Sequence, residues 1–138
     1  MGVLSDLRVL DASSGIAGAY CTKLLRDAGA EVLKVEPPEG DPLRRRTASG
    51  IPPSADEDGA LFRFLGAGKS SVALDRASLR DKTTLFEYVA EADLVVESVA
   101  TLPGSSPPLD FDELRGANPR VCLLSISPWG LDLSLIHI

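Results

Sequence analysis

The stretch Arg8–Glu36, "RVLDASSGIAGAYCTKLLRDAGAEVLKVE", decides the fold. "LRVLD" (Leu7–Asp11) is a short apolar run with a polar exit, the pattern of a strand buried on both faces. "ASSG" is loop, with Ser13 or Ser14 available as a helix cap. From Ile16 to Ala28, the apolar residues Ala17, Tyr20, Cys21, Leu24, Leu25 and Ala28 recur every three or four positions. This spacing predicts a helix with one buried face, ended by Gly29. "EVLKVE" (Glu31–Glu36) reads as a second strand, broken by "PPEGDP". Strand, glycine-bearing loop, helix, and strand ending in an acid is how a nucleotide-binding unit begins. However, Gly15 and Gly18 lack the G-x-G-x-x-G spacing of a dinucleotide fingerprint.

The alternation continues beyond this unit. Residues Leu43 to Asp58 begin with "LRRR" and become rich in Gly, Pro, Ser and Asp, as in a long surface loop. "ALFRFLGAGKSSVALD" adds a short apolar segment, a Gly-Lys turn and a strand, Ser71–Leu74. "SLRDKTTLFEYVAEA" fits a helix capped by Ser78, with Leu79, Leu85, Phe86 and Val89 facing inward. "DLVVES" (Asp93–Ser98) reads as a buried strand, "DFDELRGANP" as a short helix capped by Asp110, and "RVCLLSISPWG" as a last strand and turn. The order β-α-β, loop, β-α-β-α-β predicts an α/β fold, a Rossmann-like parallel sheet with helices on both faces, because right-handed crossovers place them there.

The 138 residues suffice for one ordinary domain, and 44% hydrophobic with 25% charged content is that of a globular chain. The net charge of −6 argues against nucleic acid as the main partner. No apolar run approaches a membrane span, and the start has neither a basic n-region nor a long apolar h-region, so a cytoplasmic location is expected. Cys21 and Cys122 read as buried thiols in a reducing compartment rather than a disulfide. With His137 the only histidine, no His-based metal site or triad can be assembled.

Ligands of open parallel sheets sit at the carboxyl ends of the strands. Here those ends lead into Ala12–Gly18, Glu36–Asp41, Ser98–Leu102 and Ser127–Gly130. Gly18 allows either close approach of a ligand to the backbone or close strand–helix packing. Glu36 could accept from a ribose hydroxyl or cap a turn. "GAGKSS" (Gly66–Ser71) is not a Walker loop, since Arg63 stands where its first glycine belongs and a strand follows. Lys69 could meet an anionic ligand or face water in a turn. The arginines of "LRRR" could hold phosphates or form a solvated loop.

Together these pieces resemble the N-terminal part of the class III CoA-transferase family (CaiB/BaiF type), which includes formyl-CoA and carnitine-CoA transferases and α-methylacyl-CoA racemase. The resemblance rests on "RVLD", "AGAY" (Ala17–Tyr20), "LLRDAGAEVLKVEPPEGDPLR" (Leu24–Arg44), "GKSSVALD" (Gly68–Asp75), "ADLVVES" (Ala92–Ser98) and "NPRVCLLSISPWG" (Asn118–Gly130), in family order. It implies that residues 1–130 are the CoA-binding N-terminal part of the large domain of such an enzyme. The parent would be an interlocked homodimer acting on an acyl-CoA and a carboxylic acid, without a metal. CoA contacts are implied at Ile16 and Ala17, at Leu74, Asp75 and Arg76, and at Ser98, Val99 and Ala100.

Several positions depart from the pattern. Ile16 stands where a polar residue is common, Ala19 where proline is, and "ESV" (Glu97–Val99) where "ENF" is. An arginine usual a little further on is missing from "ATLPGSSPP". These changes would alter the CoA contacts or mark a catalytically silent half. The family's nucleophilic aspartate lies beyond "SISPWG", and Asp132 in "DLSLIHI" does not match it. Residues 131–138 are therefore expected to be a non-family tail, from truncation or read-through, and this chain alone is expected to be inactive. A racemase-type isomerase and a silent CoA- or NAD-binding half are the alternative readings.

Overall fold

The computed structural model describes residues 2–98, 108–128 and 130. Its elements are strand β1 (Arg8–Asp11), helix α1 (Ile16–Asp27), β2 (Glu31–Glu36), a 3₁₀ turn (Pro42–Arg45), α2 (Ala60–Gly66), β3 (Ser70–Ala73), α3 (Leu79–Glu91), β4 (Leu94–Ser98), α4 (Phe111–Ala117) and β5 (Cys122–Ile126). The five strands form one sheet of order β3-β2-β1-β4-β5, and every neighbouring pair is parallel. The chain winds outward from β1 through β2 to β3, then crosses to the other side for β4 and β5. The carboxyl ends of β1 and β4 therefore flank a topological switch point, where an open α/β sheet leaves a crevice.

Strand pleating sorts the core into two layers. Leu10, Val35 and Val95 face Leu85 and Val89 of α3 and Leu114 of α4. Val9, Val32 and Val96 face the opposite way, with Leu25 of α1 packed against them. Helices thus cover both faces, as the alternation predicts. A third cluster, Ala19, Leu43 and Leu65, joins α1 to the 3₁₀ turn and to α2. The "ALFRFLG" segment is therefore a helix of its own.

The helix boundaries follow local chemistry. Gly29, at φ +111°, ends α1 in the left-handed region that a side chain disfavours. The Ser78 hydroxyl accepts from the Asp81 amide, and the Asp110 carboxylate accepts from the amides of Asp112 and Glu113. The N-cap of α1 is Gly15, with no side-chain cap bond, so neither Ser13 nor Ser14 caps it.

Two helix faces differ from the periodicity reading. The buried residues of α1 are Gly18, Ala19, Thr22 and Lys23, while Ala17, Tyr20 and Leu24 are exposed and Cys21, Leu25 and Ala28 are half-buried. The sheet face beneath α1 carries Asp11 and Lys34 as well as valines, so the helix turns Thr22 and small residues toward it. Leu79, the first residue of α3, points into solvent at 84% exposure.

Candidate functional site at the switch point

A cleft of about 680 Å³ opens at the carboxyl ends of β1, β2, β3 and β4, a size typical of small-molecule sites. Its floor and rim include Ala12–Ser14, Glu36 and Asp41, Leu74–Ala77, Glu97–Ser98, and residues of α3 and α4.

The loop after β1 is held from below. Asp11, fully buried, accepts from the Ser13 amide at 3.1 Å, from the Ser13 hydroxyl, and from Thr22 Oγ1 at 2.6 Å. The Ala12 amide donates to Val96 O at 2.8 Å. Ser98 closes the loop from the β4 side: its hydroxyl donates to Ser14 O at 2.7 Å and accepts from the Ser14 amide at 2.7 Å. This explains why the two serines cap nothing, since Ser13 faces inward to Asp11 and Ser14 pairs across to Ser98. At Gly18 an added Cβ would collide with Ser13 Cβ and Oγ. The glycine serves strand–helix packing.

Glu36 is committed to internal partners. Arg44 donates to both of its oxygens, at 2.7 and 2.8 Å, and the Asp41 amide donates at 3.0 Å. Burial pushes this carboxyl up, but the bonds from Arg44 and Asp41 and the charges of Arg44 and Lys34 outweigh it. The net result lies below the ordinary glutamate value. The ribose-accepting role is not available to a carboxylate so engaged. Arg44 also reaches Asp58 at 2.7 Å and lies over the Phe62 ring, and Arg45 donates to the carbonyls of Pro53 and Ser54. These two arginines hold their own loop together and are not free to grip phosphates.

Lys69 is neither a water-facing turn residue nor a ligand cation. Its side chain is 3% exposed and donates to Thr22 Oγ1 at 2.7 Å, Ala19 O at 2.9 Å and Asp11 Oδ2 at 3.4 Å. Burial pulls its pKa down, against the charge of Asp11.

Of the residues implied as CoA contacts, Leu74, Asp75, Arg76 and Ser98 come together at the cleft. Leu74 is buried, with its amide on Glu36 O, and Asp75 accepts from the Ala77 amide. Arg76 is half-buried; burial lowers its pKa while nearby Glu97 raises it. Ile16 and Ala17 form the first turn of α1 and are exposed, outside the cleft lining. Val99 and Ala100 lie outside the described residues. Both cysteines are free thiols: Cys21 is half-buried, but Cys122 is exposed on edge strand β5 rather than buried.

Sequence reasoning missed Asp11, Lys34, Asp41 and Glu97, all buried beside the cleft. Glu97 accepts from the Leu109 amide at 2.8 Å and Ser125 Oγ at 2.6 Å. The available signal was a charge inside an apolar parallel strand, as Lys34 is in "EVLKVE". Among the described residues, no helix is long and apolar enough to cross a membrane, and no group of three or more His, Cys, Asp or Glu could hold a metal ion.

A five-stranded parallel sheet with helices on both faces and a cleft at the β1/β4 switch point defines the Rossmann-like class of α/β domain. Over residues 4–133 the sequence matches CoA-transferase family III, and the chain belongs to that family. It is 37% identical over 130 residues to a succinyl-CoA:mesaconate CoA-transferase of Haloarcula hispanica, covering 94% of this chain and 33% of that protein. It is 34% identical to a formyl-CoA:oxalate CoA-transferase of Streptomyces avermitilis, covering 92% of this chain and 30% of that protein. A crystal structure of a CAIB/BAIF family protein from Brucella suis superposes with a TM-score of 0.83 at 30% identity, covering 96% of this chain and 35% of that one. The chain thus spans about a third of the length of these relatives.

Proposed function

We propose that residues 1–130 are the CoA-binding N-terminal part of an enzyme that moves CoA between carboxylic acids, with residues 131–138 outside that unit. The observation that carries this reading is the convergence of Ala12–Ser14, Leu74–Arg76 and Ser98 on one cleft at the switch point. These strand-end segments, their amides already bonded within the fold, form a fixed wall along which a pantetheine arm can lie. Arg76 suits a phosphate, which an arginine fork can meet with two donors. Ile16 and Ala17 extend the contact along the first turn of α1, and Val99 and Ala100 extend it beyond β4. The ligand is CoA or an acyl-CoA, taken as substrate, with no metal.

The chemistry belongs to residues after this chain: a carboxylate nucleophile that accepts the acyl group covalently and splits the transfer into easier steps. The relatives named above are transferases, which favours transfer over α-proton exchange. The parent would work in the cytoplasm as an interlocked homodimer, without nucleic-acid or membrane partners. The test is calorimetric titration of the purified chain with CoA and with NAD. CoA should bind and NAD should not, and Arg76→Ala should weaken CoA binding with a smaller dependence on salt. Tighter binding of NAD than of CoA would overturn the reading.

A further inference from the structure

Lys34 sits in the middle of β2 on the face covered by α1, with its side chain 4% exposed. It donates to Ser13 O at 3.0 Å and pairs with Asp41 at 2.9 Å; Asp11 lies 3.9 Å away. Asp41 in turn accepts from the Leu43 amide at 2.8 Å, starting the 3₁₀ turn, and its own amide donates to Glu36 at 3.0 Å. Ser13 and Asp41 belong to different loops, those after β1 and after β2, and both line the cleft. One buried ammonium therefore ties together two segments of its rim. Around it stand Asp11 on β1, Lys69 before β3, Thr22 on α1, and Glu36 with Arg44 beyond Asp41.

Such a cluster is a poor way to gain stability. Taking two charges out of water is costly, and packed apolar residues of the same volume often do as well or better. What it supplies is directional: a fixed distance from the Ser13 carbonyl to the Asp41 carboxylate, which apolar packing does not specify. We propose that Lys34 and Asp41 are positioning residues that set the separation of the two rim loops for CoA, acting through Ser13 and the 3₁₀ turn without touching the ligand. This rests on the CoA-binding reading above.

The test is the double variant Lys34→Met/Asp41→Asn. It removes both charges, leaves the net charge unchanged and keeps an acceptor for the Leu43 amide. Thermal unfolding and CoA titration are measured side by side on the 138-residue chain. The expected result is a melting midpoint close to that of the parent sequence with CoA affinity lower by on the order of tenfold, the scale of a displaced binding group. An undiminished affinity in a stable double variant overturns the proposal, because the pair would then serve folding alone. Should the double variant not fold, Asp41→Glu carries the test, since it keeps the ion pair while lengthening the link by one methylene, and unchanged CoA affinity in it is equally fatal. If the parent chain itself binds no CoA, the CoA-binding reading fails and this inference falls with it.

Discussion

Arg44 holds Glu36 by both arms, Nε 2.7 Å from Oε2 and Nη2 2.8 Å from Oε1, at the point where β2 leaves the sheet. The pair turns the Pro37–Asp41 bend back toward the 3₁₀ turn and, through Asp58, pins the long loop that precedes α2. The segment that composition marks as a long surface loop is therefore anchored at its base.

This pair makes stability depend on acid. The folded Glu36 carboxyl lies below its ordinary value of 4.5. The unfolded state therefore takes up its proton first, and the contribution is fully present above that value and is lost as pH falls through the lower folded one. Urea unfolding across this range should show a steeper acid loss for the parent sequence than for Glu36→Gln. Arg44→Ala should cost on the order of 2 kcal/mol at neutral pH, discounted from a fully buried pair because Arg44 is partly exposed. Equal acid slopes in parent and Glu36→Gln would contradict the assignment.

Lys69 and Asp11 should behave as a coupled pair. Lys69→Met removes the ammonium from Asp11 and Thr22 and should destabilise by roughly 3 kcal/mol, the scale for breaking a buried ion pair on one side. Adding Asp11→Asn should return part of that loss, giving a coupling energy of about 0.5–3 kcal/mol in a double-mutant cycle. Chemical denaturation of the four sequences measures it, and strict additivity would exclude a direct interaction.

Gly18→Ala should destabilise by about 1–3 kcal/mol, since the new methyl group meets the Ser13 side chain in a closed space. The cost should shrink when Ser13→Gly clears that space. If Gly18→Ala melts like the parent, the contact between α1 and the loop is looser than described.

Ile16, Tyr20 and Leu24, at 41, 49 and 53% exposure, form an outward stripe on α1, and Phe64 of α2 is 57% exposed. The Lys23 ammonium, 5.1 Å from the Phe64 ring, connects the two helices. A contiguous apolar surface favours self-association. Tyr20→Lys with Leu24→Glu should raise the concentration at which the chain stays monodisperse in light scattering, with a stability change within about 0.5 kcal/mol. Unchanged aggregation would place the cause on another face.

The architecture was legible because it depends on short-range signals. Alternating strand and helix patterns, the Gly29 stop and the Ser78 and Asp110 caps all act over a few residues. Parallel pairing then follows from the crossovers. The helix Ala60–Gly66 escaped because seven residues after a Gly/Pro-rich loop show too little periodicity. The buried face of α1 was misjudged for a related reason. Apolar spacing gives candidate stripes, but the polar sheet face beneath decides which one turns inward.

The sequence by itself determined an α/β chain of class III CoA-transferase type, with the loops at the carboxyl ends of its strands as the place for a ligand. Only the tertiary structure decided what its charges do. Whether Glu36, Arg44, Lys69 or Lys34 meets a ligand, water or another side chain depends on partners far apart in the chain. Lys34 meets Ser13 and Asp41, and Lys69 meets Asp11 and Thr22. A charge carries no mark in sequence of the partner that burial will require, so these roles appear only once the sheet has brought the loops together.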